Sequence, residues 1–477
     1  LKRPQFPDKT FNIRDYGAKK MSETDSDFLN TSAINKAIKV CSEAGGGKVF
    51  IPKGEWITGP IHLESYVNLY IDKGAIVHFT TDIEEYLPVV PVRKEGVRAF
   101  NYSPLIYAYE KKNIAITGKG TFHGHGQAWW KWYRDHGEKD GGDRIEVTKV
   151  PFTRRIYGKG GGVEGMRPNF FVPYKSKNIL VEGVTFKQGP MWNINPTFSE
   201  NIIVRDVTVE SHNAPNGDGV SISSCVNVLV EYCHFKTGDD AVPIKSGLNE
   251  EGLKLNKPSK NIVVRNIQAE NVPANIVTIG SETSGGIENV YFHSATINGA
   301  ERGIRIKSER GRGNVIKNIY VEDIDMKNIT DAAIQFTTYY SGGEGVGPAP
   351  LFKNVYINNV TARNAEDAIE IIGLPEQWIQ NVTLQNIKIN ANNGGEIRHA
   401  KNFNLNNVKI EANSGPALYI NNAIDGKLRE ISFKSGNSQP SILLKGEFTQ
   451  SIMIDNSIPV NEIKFGPNVS KNVIKKH

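Results

Sequence analysis

The sequence NILVEGVTF (178–186) is followed by two close variants, NIIVRDVTV (201–209) and NVLVEYCHF (227–235). Each copy begins with asparagine and alternates branched apolar residues with polar ones, which is the pattern of a strand with one buried face. The leading asparagine suits a turn, because it tolerates left-handed backbone and bonds to its own main chain. The pattern therefore predicts a repeated unit of strand, sharp turn and strand.

The repeat extends along much of the chain at a spacing of roughly 21 to 36 residues, which is within the range of solenoid proteins. Further copies begin at Asn68, Asn113, Asn261, Asn289, Asn318, Asn354, Asn381 and Asn402. Successive coils would pair in parallel about 4.8 Å apart, and their asparagines could stack as a ladder inside the helix. We therefore predict an all-β fold, a right-handed parallel β-helix.

The length of 477 residues exceeds that of an ordinary compact core, whereas a solenoid extends its core along one axis. We expect a single β-helix domain over residues 1–477. Residues 1–60 would supply an N-terminal strand and a capping helix. The helix is expected in NTSAINKAIKVCSEAGGG (30–47), with Asn30 or Thr31 as its N-cap and its apolar face closing the open end of the stack.

Composition excludes several classes of partner. The net charge of +6 is mild, and the chain has neither a long Lys/Arg run nor a membrane-length apolar stretch. We therefore expect no nucleic-acid or membrane partner. Three cysteines are too few for a disulfide framework, although a Cys225–Cys233 bridge is open, and no cysteine–histidine motif indicates a metal.

Residues 123–167 interrupt the repeat with an insertion rich in aromatic and cationic residues. One interpretation is a wall around a sugar site, because aromatic faces stack on sugars. The other is a loop packed on the flank of the helix. The residues concerned are Trp129, Trp130, Trp132, Tyr133, Arg154, Arg155 and Tyr157.

Paired aspartates stand in TGDDAVPIKSG (237–247), directly after a coil, and a third carboxylate lies in PNGDGVSISSC (215–225), about one coil earlier. Neighbouring side chains of a regular strand point to opposite faces, so the pair can serve one site only if the backbone bends, which Gly238 permits. Stacking of the coils could then gather Asp218 with the pair.

A cationic pair follows in GIRIKSERG (303–311), where Arg305 and Lys307 are two residues apart and face the same way along a strand. They lie two or three coils further on, about 10 to 15 Å along the axis at the spacing of stacked strands. Acids at one end and cations at the other suit the hydrolysis of an acidic sugar chain.

These segments, together with VTIGSETSGG (277–286), resemble the four ordered motifs of glycoside hydrolase family 28, the polygalacturonases and their relatives. The resemblance covers most of the chain, and the stretches RPNFFVPYKSKNILVEGVTFKQGPMWNI (167–194) and ERGIRIK (301–307) are similar to exo-acting bacterial members. It implies an inverting hydrolase of pectic acidic polysaccharide that uses no cofactor and no metal.

By motif position, the resemblance implies that Asp239 is the general acid and that Asp218 and Asp240 hold and activate the attacking water. Crowded carboxylates push their pKa values apart, so that one stays protonated while its neighbours ionise. The substrate-binding residues implied are Asn216, Lys245, Asn275, Arg305, Lys307 and one of Tyr339 and Tyr340.

The chain departs from the family pattern in three places. Asn275 stands where the family has a histidine, Gly217 replaces a threonine and Pro243 replaces an alanine. Asparagine cannot titrate, so these changes favour an unusual substrate or a weakened standard activity. Rhamnogalacturonan-cleaving relatives usually carry GDE, so Asp240 favours galacturonate.

The leading hypothesis is a glycosidase that removes α-linked galacturonic acid from the end of pectin chains. A hydrolase of rhamnogalacturonan or another decorated pectin is the alternative. A pectate-lyase-like enzyme and a non-catalytic sugar-binding β-helix are further alternatives. Because pectin lies outside cells and the chain begins at Leu1 without a leader, we expect a secreted or periplasmic protein whose leader has been removed.

Overall fold

The computed structural model describes residues 1–24, 28–136, 149–158, 165–436 and 439–476. It divides into two compact units. The first comprises residues 1–247 and 257–263, and the second comprises residues 248–256 and 264–477. Strands dominate both units, and the expected parallel β-helix is confirmed. The expectation of one domain over the whole chain stays a prediction.

Among its described residues, the first unit contains the α-helices α1 (Thr31–Glu43) and α2 (Gly126–His136) and the short 3₁₀ helices Ile13–Tyr16, Met21–Glu23, Ile83–Tyr86 and Phe152–Arg154. Its strands are Thr10–Asn12, Gly47–Ile51, Gly54–Thr58, Ile61–His62, Val67–Ile71, Ala75–Phe79, Val90–Lys94, Val97–Asn101, Ile106–Tyr109, Lys112–Gly118, Thr121–His123, Phe171–Tyr174, Lys177–Glu182, Thr185–Lys187, Glu200–Arg205, Thr208–Ser211, Ile222–Ser223, Val226–Glu231, His234–Thr237 and Val242–Lys245.

A long strand, Ser259–Ile279, contributes its first residues to the first unit and its later residues to the second. The second unit also contains helix α3 (Asn249–Leu255) and the 3₁₀ helices Tyr340–Gly343, Val460–Glu462 and Lys471–Val473. Its other strands are Ile287–Lys307, Val315–Thr337, Leu351–Ile372, Ile379–Arg429, Ser432–Lys434, Ile442–Lys445, Gln450–Ile454, Ile463–Phe465 and Ile474–Lys476.

Parallel register stacks identical kinds of side chain into columns within each unit. In the first unit Ile114 pairs with Ile179, and the column continues through Ile202 to Val228. These residues are buried, so every coil adds apolar surface to one continuous core. The second unit has an equivalent column formed by Val290, Ile319, Val355 and Val382.

Asparagine ladders run along both units, as the repeat predicts. In the first unit Asn178 Nδ2 donates to Asn113 Oδ1 at 2.9 Å, and Asn201 Nδ2 donates to Asn178 Oδ1 at 3.0 Å. In the second unit Asn381 Nδ2 donates to Asn354 Oδ1 at 2.8 Å. These residues have positive φ, which asparagine tolerates better than other side chains. The ladders are partly or fully exposed, so the expectation that they lie inside the helix is wrong.

Helix α1 forms where the capping helix is expected, and it buries Ile34, Ile38 and Cys41. Asn30 stands at the N-cap position but its side chain makes no capping hydrogen bond. Its amide instead donates to the carbonyl oxygen of Ile57 at 2.9 Å and accepts from the N–H of Lys19 at 2.8 Å. Asn30 therefore joins neighbouring segments rather than the helix end.

All three cysteines are buried free thiols, so the open possibility of a Cys225–Cys233 bridge is not realised. Among the described residues, no helix is both long and apolar enough to cross a membrane.

Candidate active site

The three aspartates lie in turns of neighbouring coils within the first unit. Asp218 follows the strand Thr208–Ser211, and the pair Asp239–Asp240 follows His234–Thr237. The N–H of Gly219 donates to the carbonyl oxygen of Asp240 at 3.0 Å, and that of Val220 to Ala241 at 2.9 Å. The segment after Asp218 is therefore stacked on the segment that contains Asp240, as the sequence predicts.

Asp218 is 1% exposed and forms an ion pair with Lys245, whose Nζ lies 2.9 Å from its Oδ2. Burial raises the pKa of the Asp218 carboxyl, the ammonium of Lys245 opposes this, and the charges of Asp239 and Asp240 raise the pKa further. All three carboxylates are thus within electrostatic reach of one another.

The buried ammonium of Lys245 also lies over the ring of Trp192, with 3.9 Å between Nζ and the ring centroid. A cation over a desolvated indole face gains electrostatic attraction, which compensates part of the cost of burying the lysine. Beside it, Asn193 Nδ2 and the Asn193 N–H each donate to the carbonyl oxygen of Asp218 at 2.9 Å. These contacts fix the backbone of the Asp218 turn.

Asp239 is the most accessible of the three aspartates: it is partly exposed, whereas Asp240 is 2% exposed. Its Oδ1 accepts from the N–H of Asp240 at 2.8 Å, and its carbonyl oxygen accepts from Thr237 Oγ1 at 2.7 Å. These bonds hold the two neighbouring carboxylates in different environments, one partly open to solvent and one enclosed.

Two glycines in these turns are required by close packing. A β-carbon on Gly238 would lie 2.3 Å from the carbonyl oxygen of Ala214, and one on Gly217 would lie 2.6 Å from the Ala214 β-carbon. Gly238 therefore admits the turn by leaving space, and its φ is not positive. The same crowding leaves no room for a larger side chain at position 217 beside Ala214.

Asn216 is held by a buried arginine. Arg167 is 1% exposed, and its guanidinium donates to Asn216 Oδ1 at 2.9 Å and to the carbonyl oxygen of Pro215 at 2.8 Å. The same guanidinium lies 3.9 Å from the ring centroid of Tyr133 in α2. The contact links Asn216 to the insertion.

The second unit brings together the expected binding residues that belong to it. Arg305 Nη1 donates to the side-chain oxygen of buried Asn275 at 3.3 Å. Arg305 and Lys307 both lie near the ring of Tyr340, at 5.6 Å and 5.7 Å from its centroid. Tyr339 instead lies beside Arg398, at 5.5 Å, so Tyr340 is the tyrosine of this cluster.

The described part of the insertion favours packing over a sugar-binding wall for two of its tryptophans. Trp129 and Trp130 are buried, and Trp130 Nε1 donates to the carbonyl oxygen of Gly189 at 3.0 Å. Arg155 is buried too and donates to the carbonyl oxygen of Val150 at 2.7 Å. The insertion also covers residues 137–148 and 159–164, which lie outside the described residues.

Sequence reasoning missed Arg167, Trp192 and Asn193 as supports of this site. Trp192 and Asn193 stand in the stretch QGPMWNI, one coil before Asp218, where the register could have placed them. A group of three histidines, His78, His123 and His125, has the spacing of metal ligands and was also missed.

Clustered carboxyl groups in different environments are the kind of arrangement that glycoside hydrolysis uses, with one as acid and another as base or nucleophile. The chain belongs to the glycosyl hydrolases family 28, because the model of that family matches residues 157–417, more than half of its length. It is therefore a glycoside hydrolase.

Among solved structures, the chain is similar to a hyperthermoactive exopolygalacturonase from Thermotoga maritima, with 34% identity, a TM-score of 0.74 and coverage of 84% of this chain and 89% of that one. A probable polygalacturonase from Vitis vinifera is 29% identical over 76% of this chain and 72% of the relative. An exo-poly-alpha-D-galacturonosidase from Dickeya chrysanthemi is 28% identical over 80% of this chain and 67% of the relative.

Proposed function

We propose that this protein hydrolyses α-linked galacturonic acid in pectic polysaccharide, releasing units from the chain end with inversion at the anomeric carbon. The observation that carries the proposal is the cluster of Asp218, Asp239 and Asp240, in which one carboxyl is partly exposed and two are buried. Glycoside hydrolysis needs one group that gives a proton and another that activates water.

Asp239 is the general acid in this proposal. Its partial exposure allows contact with the leaving oxygen of a bound sugar, whereas Asp218 is enclosed and paired with Lys245. The neighbouring negative charges of Asp218 and Asp240 favour the protonated form of a third carboxyl.

Asp218 and Asp240 hold and activate the attacking water. Lys245 favours the charged form of Asp218, which a base requires, and opposes the burial and the charges of Asp239 and Asp240 that raise the pKa of Asp218 well above its ordinary value. An inverting enzyme needs roughly 6.5–9.5 Å between acid and base to accommodate the water.

Arg305 and Lys307 bind a carboxylate of the substrate, with Tyr340 beside them. Arginine suits this role because its planar guanidinium forms two parallel bonds with a carboxylate. Asn275 accepts a hydrogen bond from Arg305 at 3.3 Å and so orients the guanidinium without titrating. Asn216, held by Arg167, contacts sugar or water near Asp218.

Action from the chain end is supported by two of the similar proteins, from Thermotoga maritima and Dickeya chrysanthemi, which are described as exo-acting. The long insertion between residues 123 and 167 supplies chain for closing one end of a binding cleft. Because pectin lies outside the cell, the protein in this proposal is secreted or periplasmic.

The test is a timed digest of oligogalacturonates and polygalacturonate, with products separated by size and the anomer followed by proton NMR. We expect free galacturonate from the first time point, with the β anomer formed first and no ultraviolet absorbance from an unsaturated product. Short oligomers released early from polygalacturonate would contradict exo action, and an initial α anomer would contradict inversion.

Two further outcomes would change the substrate or the reaction. An unsaturated product would indicate elimination, as in a polysaccharide lyase. Cleavage of rhamnogalacturonan without cleavage of polygalacturonate would favour the decorated substrate. Asn275, which stands where the resemblance places a histidine, would then be the first residue to substitute.

A further inference from the structure

Three histidines of the first unit meet beside the start of α2. His78 lies in the strand Ala75–Phe79 and His123 in the parallel strand Thr121–His123, where the two residues are direct register partners. His125 follows two residues later with a φ of 48°, directly before the first residue of α2. The turn therefore brings the ring of His125 back to the other two.

The ring nitrogens have the spacing of a ligand set. One nitrogen from each histidine can be chosen so that all three lie within 4.8 Å of one another. His78 Nδ1 and His125 Nε2 are 2.9 Å apart, and the rings of His123 and His125 have centroids 4.1 Å apart. The ligands of a tetrahedral zinc lie about 3.3 Å apart, given Zn–N distances near 2.0–2.1 Å, so small ring movements suffice.

A carboxylate lies beside the second ring nitrogen of His78, the one that does not contact His125. His78 Nε2 is buried and has no hydrogen-bond partner among the described residues. The nearest acid is Glu55, whose carboxylate oxygen lies 3.7 Å from this nitrogen, beyond hydrogen-bond distance. Glu55 lies on the strand Gly54–Thr58, which pairs with Ala75–Phe79 and so belongs to the adjacent coil.

We propose that His78, His123 and His125 bind a zinc ion, each through one nitrogen, with a water as the fourth ligand and the carboxylate of Glu55 beside the second nitrogen of His78. Imidazole nitrogens bind zinc in preference to magnesium or calcium, which take oxygen ligands. Burial lowers the pKa of all three rings, and the adjacent histidines lower that of His123 further, to about 4. Neutral rings offer a lone pair without first releasing a proton.

The role of this ion is structural, and its binding does not depend on the proposed hydrolysis. It would tie two neighbouring strands to the residue that precedes α2, where the insertion leaves the coils. Tyr133 of α2 packs on Arg167, which in turn holds Asn216. The zinc would therefore fix the first turn of the element that supports Asn216.

The experiment uses the full chain without a histidine tag, stripped with a chelator and titrated with zinc chloride by calorimetry. We expect one zinc per chain and a higher thermal midpoint with zinc. His123→Gln and His125→Asn should each weaken binding at least tenfold and abolish the thermal shift. His293→Gln, in a histidine outside the cluster, is the control and should bind as the unsubstituted chain does.

Folding of the variants is checked by their thermal midpoint in chelator, and Asn at position 125 suits the left-handed backbone there. If one variant has a lower thermal midpoint in chelator than the unsubstituted chain, the zinc affinity of the other variant tests the proposal. The absence of zinc binding to the unsubstituted chain, or variants that bind zinc as tightly as the unsubstituted chain does, would overturn the proposal.

Discussion

The coils around Asp218 and Asp239 in the first unit and the coils of the second unit are built from the same repeat, but their strands differ in length. Near the aspartates the strands are short, such as Ile222–Ser223 with two residues and Val242–Lys245 with four. Between Ile287 and Arg429 in the second unit the strands run for 21 residues or more, and Ile379–Arg429 has 51. The short strands of the first unit leave room for the turns that carry the aspartates.

The two regions also differ in how far their polar side chains are buried. The Asp218–Lys245 pair is enclosed, with side chains 2% and 9% exposed, whereas the ladder asparagine Asn381 is exposed. Enclosed charges depend on each other because water cannot replace a lost partner. Regular repetition therefore provides the scaffold, and the turns that interrupt it in the first unit provide the carboxylates of the proposed site.

The largest effect on stability is expected at Lys245. Lys245→Met should lower the free energy of unfolding by about 3–5 kcal/mol, because it leaves the carboxylate of Asp218 buried without a partner. Activity should be lost as well. Denaturant unfolding and an initial-rate assay measure the two effects.

Lys177→Met is the matched control, because Lys177 pairs with Glu200 on the surface, at 61% and 41% side-chain exposure. Exposed pairs contribute about 1 kcal/mol or less. Equal losses in the free energy of unfolding of the two variants would show that burial of the Asp218–Lys245 pair does not increase its contribution to stability.

A smaller effect is expected in the ladder. Asn381→Ala should cost about 2 kcal/mol, since alanine adopts the left-handed backbone at about 1–2 kcal/mol and the ladder hydrogen bonds are lost. The φ of Asn381 is 57°. Thermal and denaturant unfolding should change, while kcat and KM should not.

Asn390→Ala is the control, because Asn390 is an exposed strand residue without positive φ. Its substitution should alter stability by about 0.5 kcal/mol at most. A loss of kcat in Asn381→Ala with stability intact would contradict a purely structural role for the ladder.

The smallest effect in free energy is expected at Arg305. Arg305→Gln should raise KM for oligogalacturonates about tenfold, or roughly 1.4 kcal/mol, because a partly exposed charged hydrogen bond to a carboxylate is lost. Arg363→Gln, at an exposed pair with Asp325 in the same unit, should leave KM unchanged. Steady-state kinetics on both variants decide, and an unchanged KM in Arg305→Gln would remove this residue from substrate binding.

Much of the fold could be predicted from sequence, because each coil repeats one short pattern. The asparagine at each turn and the alternation of Val and Ile fix the register, and the structure pairs Ile114, Ile179 and Ile202 as the pattern requires. The hydrogen bonds of the Asn30 side chain were less predictable, because its partners Lys19 and Ile57 are distant in sequence and come close only in the fold.

The site could be predicted in part. Motif order located the aspartates, but the pairing of Lys245 with Asp218 depends on a contact 27 residues apart in sequence. The histidine group could not be predicted for the same reason. His78 lies 47 residues before His125, and the register that pairs His78 with His123 brings the group together. The burial of Trp129 and Trp130 likewise follows from packing rather than from local pattern.

The most direct test of the central claim compares the same chemical change in the two regions. Asp239→Asn removes the proposed acid, whereas Asp323→Asn alters an exposed ladder position of positive φ, whose carboxylate accepts from Asn359 Nδ2 at 2.6 Å. We predict that kcat on oligogalacturonate falls by about 10²–10⁴ in Asp239→Asn with the unfolding midpoint preserved, and that Asp323→Asn keeps its activity. Near-normal turnover in Asp239→Asn would contradict the assignment of the acid.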